Sequence, residues 1–117
     1  MKKYILLASI ITAAIILSNC TSSKKTTTAA IAKSTYANEV STVIMNNCAP
    51  CHIPAKGGDK KPYDNFANVK TDIDEILRRI KLNPGEKGFM PFKKTAKLSD
   101  STIAVFTKWR DDGLAEK

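Results

Sequence analysis

Apolar positions along the chain fall into separate groups, each with its own spacing. From Tyr4 to Leu17 they form an almost unbroken run, interrupted only by Ser9 and Thr12. That run is shorter than the ~20 residues a relaxed membrane span requires. Tyr36, Val40, Val43 and Ile44 recur at helical steps and predict a helix over 36–47. Ile73, Ile76, Leu77 and Ile80 repeat at i, i+3, i+4, i+7, the clearest helical pattern in the chain. Thr71 can cap that helix with Asp74 three residues on, and Asn83-Pro84-Gly85 stops it. Ile103, Phe106 and Trp109, with Arg110 in step, predict a last helix. Ser99 is its cap, Asp100 suits the dipole of its first turn, and Gly113 ends it. The stretches between read as loops: Ile53 to Tyr63, with Pro54, Gly57, Gly58 and Pro62, and then Glu86 to Leu98. No segment sustains strand alternation and no internal repeat is present. The expectation is an all-α domain of about three to four short helices.

The first apolar run follows Met1-Lys2-Lys3, a short basic lead, which fits the core of a secretory signal peptide. It ends Leu17-Ser18-Asn19-Cys20, which resembles a bacterial lipobox. Residues 1–19 are then the signal peptide, and Cys20 becomes the lipid-modified N-terminus. Asn19 departs from the small residues the strict pattern prefers at that place. A plain cleaved secretory protein and an uncleaved N-terminal anchor are the other readings. All three carry the domain across the inner membrane. Thr21 to Ser34 is rich in Ser, Thr, Lys and Ala without apolar periodicity, so residues 20–35 read as a flexible tether. A tether of about fifteen such residues has an r.m.s. span of roughly 20 Å. The domain itself is expected over 36–117.

Three cysteines are odd in number and too few for a disulfide framework. Two of them stand in Cys48-Ala49-Pro50-Cys51-His52, the C-x-x-C-H pattern of c-type haem attachment. Two thiols at that spacing can form thioethers with one porphyrin edge, and the adjacent histidine supplies an axial nitrogen. A thioredoxin-type pair has the same C-x-x-C, but it needs a βαβ context that this pattern lacks. A zinc site needs about four ligands, and only Cys20 remains, with no second histidine.

With His52 the only histidine, a second axial ligand must come from another residue type. Met1 leaves with the signal peptide, and Met45 is only three residues before Cys48. Met90 lies far downstream in a loop, between Phe89 and Pro91, and is the candidate. Its alternative role is core filler, which methionine often is. The iron is then open or lysine-ligated.

The C-x-x-C-H motif, the Gly88-Phe89-Met90-Pro91 loop and the closing helix from Leu98-Ser99-Asp100 to Trp109-Arg110-Asp111-Asp112-Gly113 together resemble a small class I monohaem cytochrome c. The likeness covers about residues 36 to 114. It implies a cytochrome c-like all-α fold wrapped around one covalent haem c. It implies terminal helices that cross and pack, His52 and Met90 as axial ligands, and Trp109 on the helix that packs at the haem. In the family a proline carbonyl often orients the histidine. Pro62 is the candidate, without the usual Gly-Pro.

Composition adds a formal charge of +8, which loss of Lys2 and Lys3 lowers to +6. Two propionates would lower it further, so the charge is not a nucleic-acid signal. Lys56, Lys60 and Lys61 flank one loop, and Lys87, Lys93, Lys94 and Lys97 the other. They are either ordinary solvated surface or a basic ring steering an acidic redox partner. The resulting expectation is a one-electron carrier of an envelope respiratory chain, periplasmic and held to a membrane through Cys20. It is not an enzyme in its own right. The alternatives are a haem enzyme or gas sensor with an open sixth site, and a haem subunit of a larger oxidoreductase.

Overall fold

The computed structural model describes residues 32–117. The expected signal peptide, Cys20 and most of the expected tether lie outside the described residues. Three helices carry the fold, and no strand is present among the described residues. Helix α1 begins as a π-helical turn, Tyr36–Val40, and runs directly into α-helical Ser41–Asn47. A short 3-10 turn follows at Pro54–Lys56. Helix α2 spans Phe66–Lys81 and helix α3 Asp100–Asp111.

Each helix starts on a side-chain cap. Thr35 accepts from the Asn38 amide at 3.3 Å, Asn65 from Asn68 at 3.0 Å, and Ser99 from Thr102 at 3.2 Å. The Asn65 cap moves the cap predicted at Thr71 six residues toward the N-terminus. Phe66 and Val69 extend the same face that Ile73, Ile76, Leu77 and Ile80 continue. Thr71 sits inside the helix, where its hydroxyl donates back to the Ala67 carbonyl at 2.9 Å. A threonine satisfied within its own helix does not have to begin one.

The core forms where the three apolar stripes meet. Trp109, Phe106, Ile44, Val40 and Val69 are almost fully buried, with Ile53 joining from the loop after α1. An aromatic knot ties the ends together. The Tyr36, Phe66 and Trp109 rings lie 5.8 to 6.2 Å apart, two of the pairs edge-on. Each such pair adds about 0.5–1.5 kcal/mol beyond its buried area. The two chain ends of the domain also meet. Ala115 O accepts the Tyr36 amide at 2.9 Å and the Trp109 indole N–H at 2.7 Å. Ser34 and Thr35 are buried in this packed body, with the Ser34 amide donating to the Asp112 carboxylate at 2.7 Å. No helix among the described residues is long and apolar enough to cross a membrane.

Candidate functional site

The C-x-x-C-H segment leaves the end of α1 as a run of tight turns. The Cys48 amide closes α1 on Ile44 O at 2.8 Å, and the His52 amide reaches Cys48 O at 3.0 Å. The next loop folds back onto it: the Lys60 amide donates to Cys51 O at 3.1 Å. Gly58 lies directly against the motif backbone. A Cβ there would come within 2.8 Å of the Cys51 carbonyl carbon, and closer still to the Pro50 and Cys51 carbonyl oxygens. Only a glycine allows that approach.

Cys48 and Cys51 are free thiols. Cys48 is half-buried against the core, and burial pushes its thiol up to about 11. It is therefore neutral at pH 7, unlike the low-pKa cysteines of redox catalysis. Cys51 is exposed. Among the described residues no three His, Cys, Asp or Glu side chains come together to hold a metal ion.

His52 is held on several sides. Its Nδ1 lies 2.7 Å from the Lys61 carbonyl oxygen. A carbonyl can only accept, so Nδ1 carries the proton and donates. The neutral ring then has one free lone pair, on Nε2, which is the form a metal-ligating imidazole requires. The Tyr63 ring stacks on the imidazole, 4.5 Å between centroids and 11° from parallel, and the Tyr63 amide donates to His52 O at 2.9 Å. The expectation that Pro62 supplies the orienting carbonyl is off by one residue. The Pro62 ring fixes the chain's direction at this point, and the carbonyl it leaves facing His52 is that of the preceding lysine.

This clasp is anchored in α2 by Asp72. Its carboxylate accepts from Lys61 Nζ at 2.6 Å and from the Tyr63 hydroxyl at 3.0 Å. The lysine hydrogen bond, more than the tyrosine one, holds the Asp72 carboxyl below the usual carboxylate range. Burial and the Asp72 carboxylate push the Tyr63 phenol well above its ordinary value, so it stays a donor. The sequence patterns give neither Asp72 nor Tyr63 a place at the site. No periodicity marks either residue, because their partners are side chains nine to eleven residues away: Lys61 and Tyr63 for Asp72, Asp72 and His52 for Tyr63. Lys61, while exposed, pairs with Asp72, and Lys60 pairs with Asp59.

Met90 is half-buried and packs against the core, in a loop pinned to the other end of α2. Its amide donates to Arg79 O at 3.2 Å, and Arg79 Nε donates to Gly88 O at 2.7 Å. Between these two anchors the Phe89 side chain is buried. Gly88 has φ of +96°, a left-handed turn that glycine adopts without a Cβ penalty. A recess of about 370 Å³ is bordered by Asn46 and Asn47, which lead into Cys48, and by Pro91, Lys94 and Leu98, which follow Met90. Cys48, Cys51, His52 and Met90 themselves do not border it. A larger open groove of about 530 Å³ runs along α3 from Asp100 to Asp112 and touches none of the candidate residues.

No family model, curated protein or solved structure matches the chain. The site therefore rests on its own residues: two free thiols, one imidazole whose Nδ1 is hydrogen-bonded, and one half-buried thioether.

Proposed function

We propose that the chain is a monohaem c-type cytochrome and serves as a one-electron carrier, with a cytochrome c-like fold around the haem. The observation that carries this reading is His52. Its Nδ1 is spent on the Lys61 carbonyl and its ring plane is fixed by Tyr63, so Nε2 is the one nitrogen offered to iron. The cysteines fit the same group. A thioether is uncharged and tolerates the burial that disfavours a Cys48 thiolate, whereas zinc would require that thiolate.

A haem held by Cys48 and Cys51, with His52 and Met90 on the iron, would supply one-electron redox chemistry at a potential raised by the sulfur ligand. Cys48 and Cys51 would bind its edge and His52 and Met90 would hold the iron, while the Lys61 carbonyl and the Tyr63 ring orient the imidazole. With both positions filled, small substrates have no ready access to the metal, which favours electron transfer over catalysis. The exposed residues Lys56, Lys87, Lys93, Lys94 and Lys97 supply a basic surface for an acidic redox partner. Charge reversal at Lys93 and Lys94 is expected to slow electron transfer at low salt and flatten its salt dependence, as stopped-flow rates at two ionic strengths would record. Export and lipid attachment at Cys20 would hold this carrier in the periplasm near its partners, as supported by the Leu17-Ser18-Asn19-Cys20 pattern.

One observation favours a second reading. Met90 packs against the core, as a filler would, and the sixth site is then open for a gas or small substrate. The optical spectrum of the purified protein, repeated on Met90→Ala, decides. Sharp reduced c-type bands, with a far-red sulfur-to-iron band that vanishes in the variant, are expected. A high-spin spectrum indifferent to the substitution would select the open site. A protein from which acid and organic solvent strip all haem would end both readings.

A further inference from the structure

The two candidate ligands come from loops far apart in sequence, yet the structure ties both loops to one helix. Asp72 and Arg79 are seven residues apart on α2, which is two turns, so they share a face and stand about 10 Å apart along the axis. At one end, Asp72 grips the two residues that flank Pro62. Lys61 Nζ and the Tyr63 hydroxyl donate to its two carboxylate oxygens. Those same residues supply the contacts that hold His52. The Lys61 carbonyl fixes the ring's rotation and tautomer, and the Tyr63 ring fixes its plane. At the other end, Arg79 holds the methionine loop from both sides, its guanidinium on Gly88 O and its own carbonyl on the Met90 amide.

We propose that α2 acts as a two-point yoke, with Asp72 the positioning residue for His52 and Arg79 the positioning residue for Met90. This rests on the His52/Met90 reading above. A rigid helix then sets the spacing of imidazole and thioether, and neither loop sets it alone. The ordered position of His52 depends on a carboxylate that never touches it. A metal's outer shell acts in this way, orienting ligands through their hydrogen-bond partners. The arrangement also explains why the partly buried Asp72 pairs with an exposed lysine of the loop rather than with a neighbour on its own helix. Its geometry serves the loop at least as much as it serves stability.

The two ends make separable predictions, read on the holoprotein. Asp72→Ala and the milder Tyr63→Phe are expected to change the His52 side. Solvent exchange of the His52 Nδ1 proton in the reduced protein should accelerate, and the g-value spread of the oxidised protein, which reports imidazole orientation, should shift. The far-red sulfur band should persist in both. Arg79→Gln is expected to do the reverse. Added imidazole should displace the sulfur ligand at roughly 10- to 100-fold lower concentration, the range that outer-shell changes produce in metal affinity. The Nδ1 exchange should stay as in the parent, and Arg79→Lys, which keeps one donor toward Gly88, should recover part of the loss. Tyr63→Phe and Arg79→Lys are conservative enough to remain folded should either stronger variant fail to accumulate. If the variants moved both sets of signals together, in proportion to lost stability, or moved neither, the yoke would be overturned while His52/Met90 ligation stood. A parent protein without a Met90-dependent sulfur band would instead overturn the ligand assignment and the Arg79 half of the yoke with it.

Discussion

Trp109→Ala is expected to lose about 3–5 kcal/mol of stability, the usual cost of deleting a buried large aromatic. The indole is fully buried at the point where all three helices meet, in edge and tilted contact with Phe66 and Tyr36. Little around it can collapse into the space, because the neighbouring rings are held by other elements. The loss should spread to the chain ends. The indole N–H shares Ala115 O with the Tyr36 amide, so Trp109 also pins the C-terminal tail to the start of α1. Trp109→Phe separates the two contributions. It keeps a ring in the knot and removes one hydrogen bond, and Ala115 O remains satisfied by Tyr36. Its cost should be about 1 kcal/mol, the net value of a single hydrogen bond without an orphaned partner. Urea unfolding followed by far-UV circular dichroism measures both. A loss under about 1 kcal/mol for Trp109→Ala would mean that the knot is not the centre of the core.

Most of this core was legible in the sequence, for a physical reason. Ile73, Ile76, Leu77, Ile80, Ile103, Phe106 and Trp109 repeat at helical spacing because a helix buries one stripe, and all seven are buried. The start of α2 was misread because Thr71 carries a capping side chain, while the true cap, Asn65, precedes an apolar pair too short to stand out. Ser34 and Thr35, read as the end of the flexible tether, are buried instead, because their burial depends on polar contacts with Asp112, Asn38 and Ala115 that no apolar pattern marks. The candidate site divides in the same way. Cys48, Cys51, His52 and Met90 were picked out by residue type and spacing, which is a statement of chemistry. Tyr63, Asp72 and Arg79 were not, because their roles exist only once α2 lies against two loops. Orientation of a ligand is a tertiary property, and a motif of five residues does not contain it.

Gly58 is the position where the fold and the candidate chemistry depend on a single missing methyl group. Gly58→Ala would remove some freedom from the unfolded chain, which by itself favours folding by about 0.4–1 kcal/mol. The structure sets a larger cost against that gain. The new Cβ meets the Pro50 and Cys51 carbonyls, which are backbone and cannot rotate aside. To make room, the turn must shift, and with it go the hydrogen bonds from Ile53 N–H to Pro50 O and from Lys60 N–H to Cys51 O, at 2.9 and 3.1 Å. Overpacking of this kind costs about 1–3 kcal/mol, and each strained hydrogen bond adds about 0.5–1.5 kcal/mol, so the net effect is a loss of roughly 2–4 kcal/mol. Gly57→Ala is the control. Gly57 has φ of +82° and open space around its Cβ, so alanine there pays only the left-handed penalty of about 1–2 kcal/mol and leaves the motif in place. The two neighbours should therefore differ most in what happens at Cys51. On the proposed haem attachment, intact mass spectrometry should show the doubly linked species for Gly57→Ala and a depleted or singly linked one for Gly58→Ala. Equal attachment in both variants, with Gly58→Ala no less stable than Gly57→Ala, would mean that the motif turn yields more easily than its backbone contacts imply.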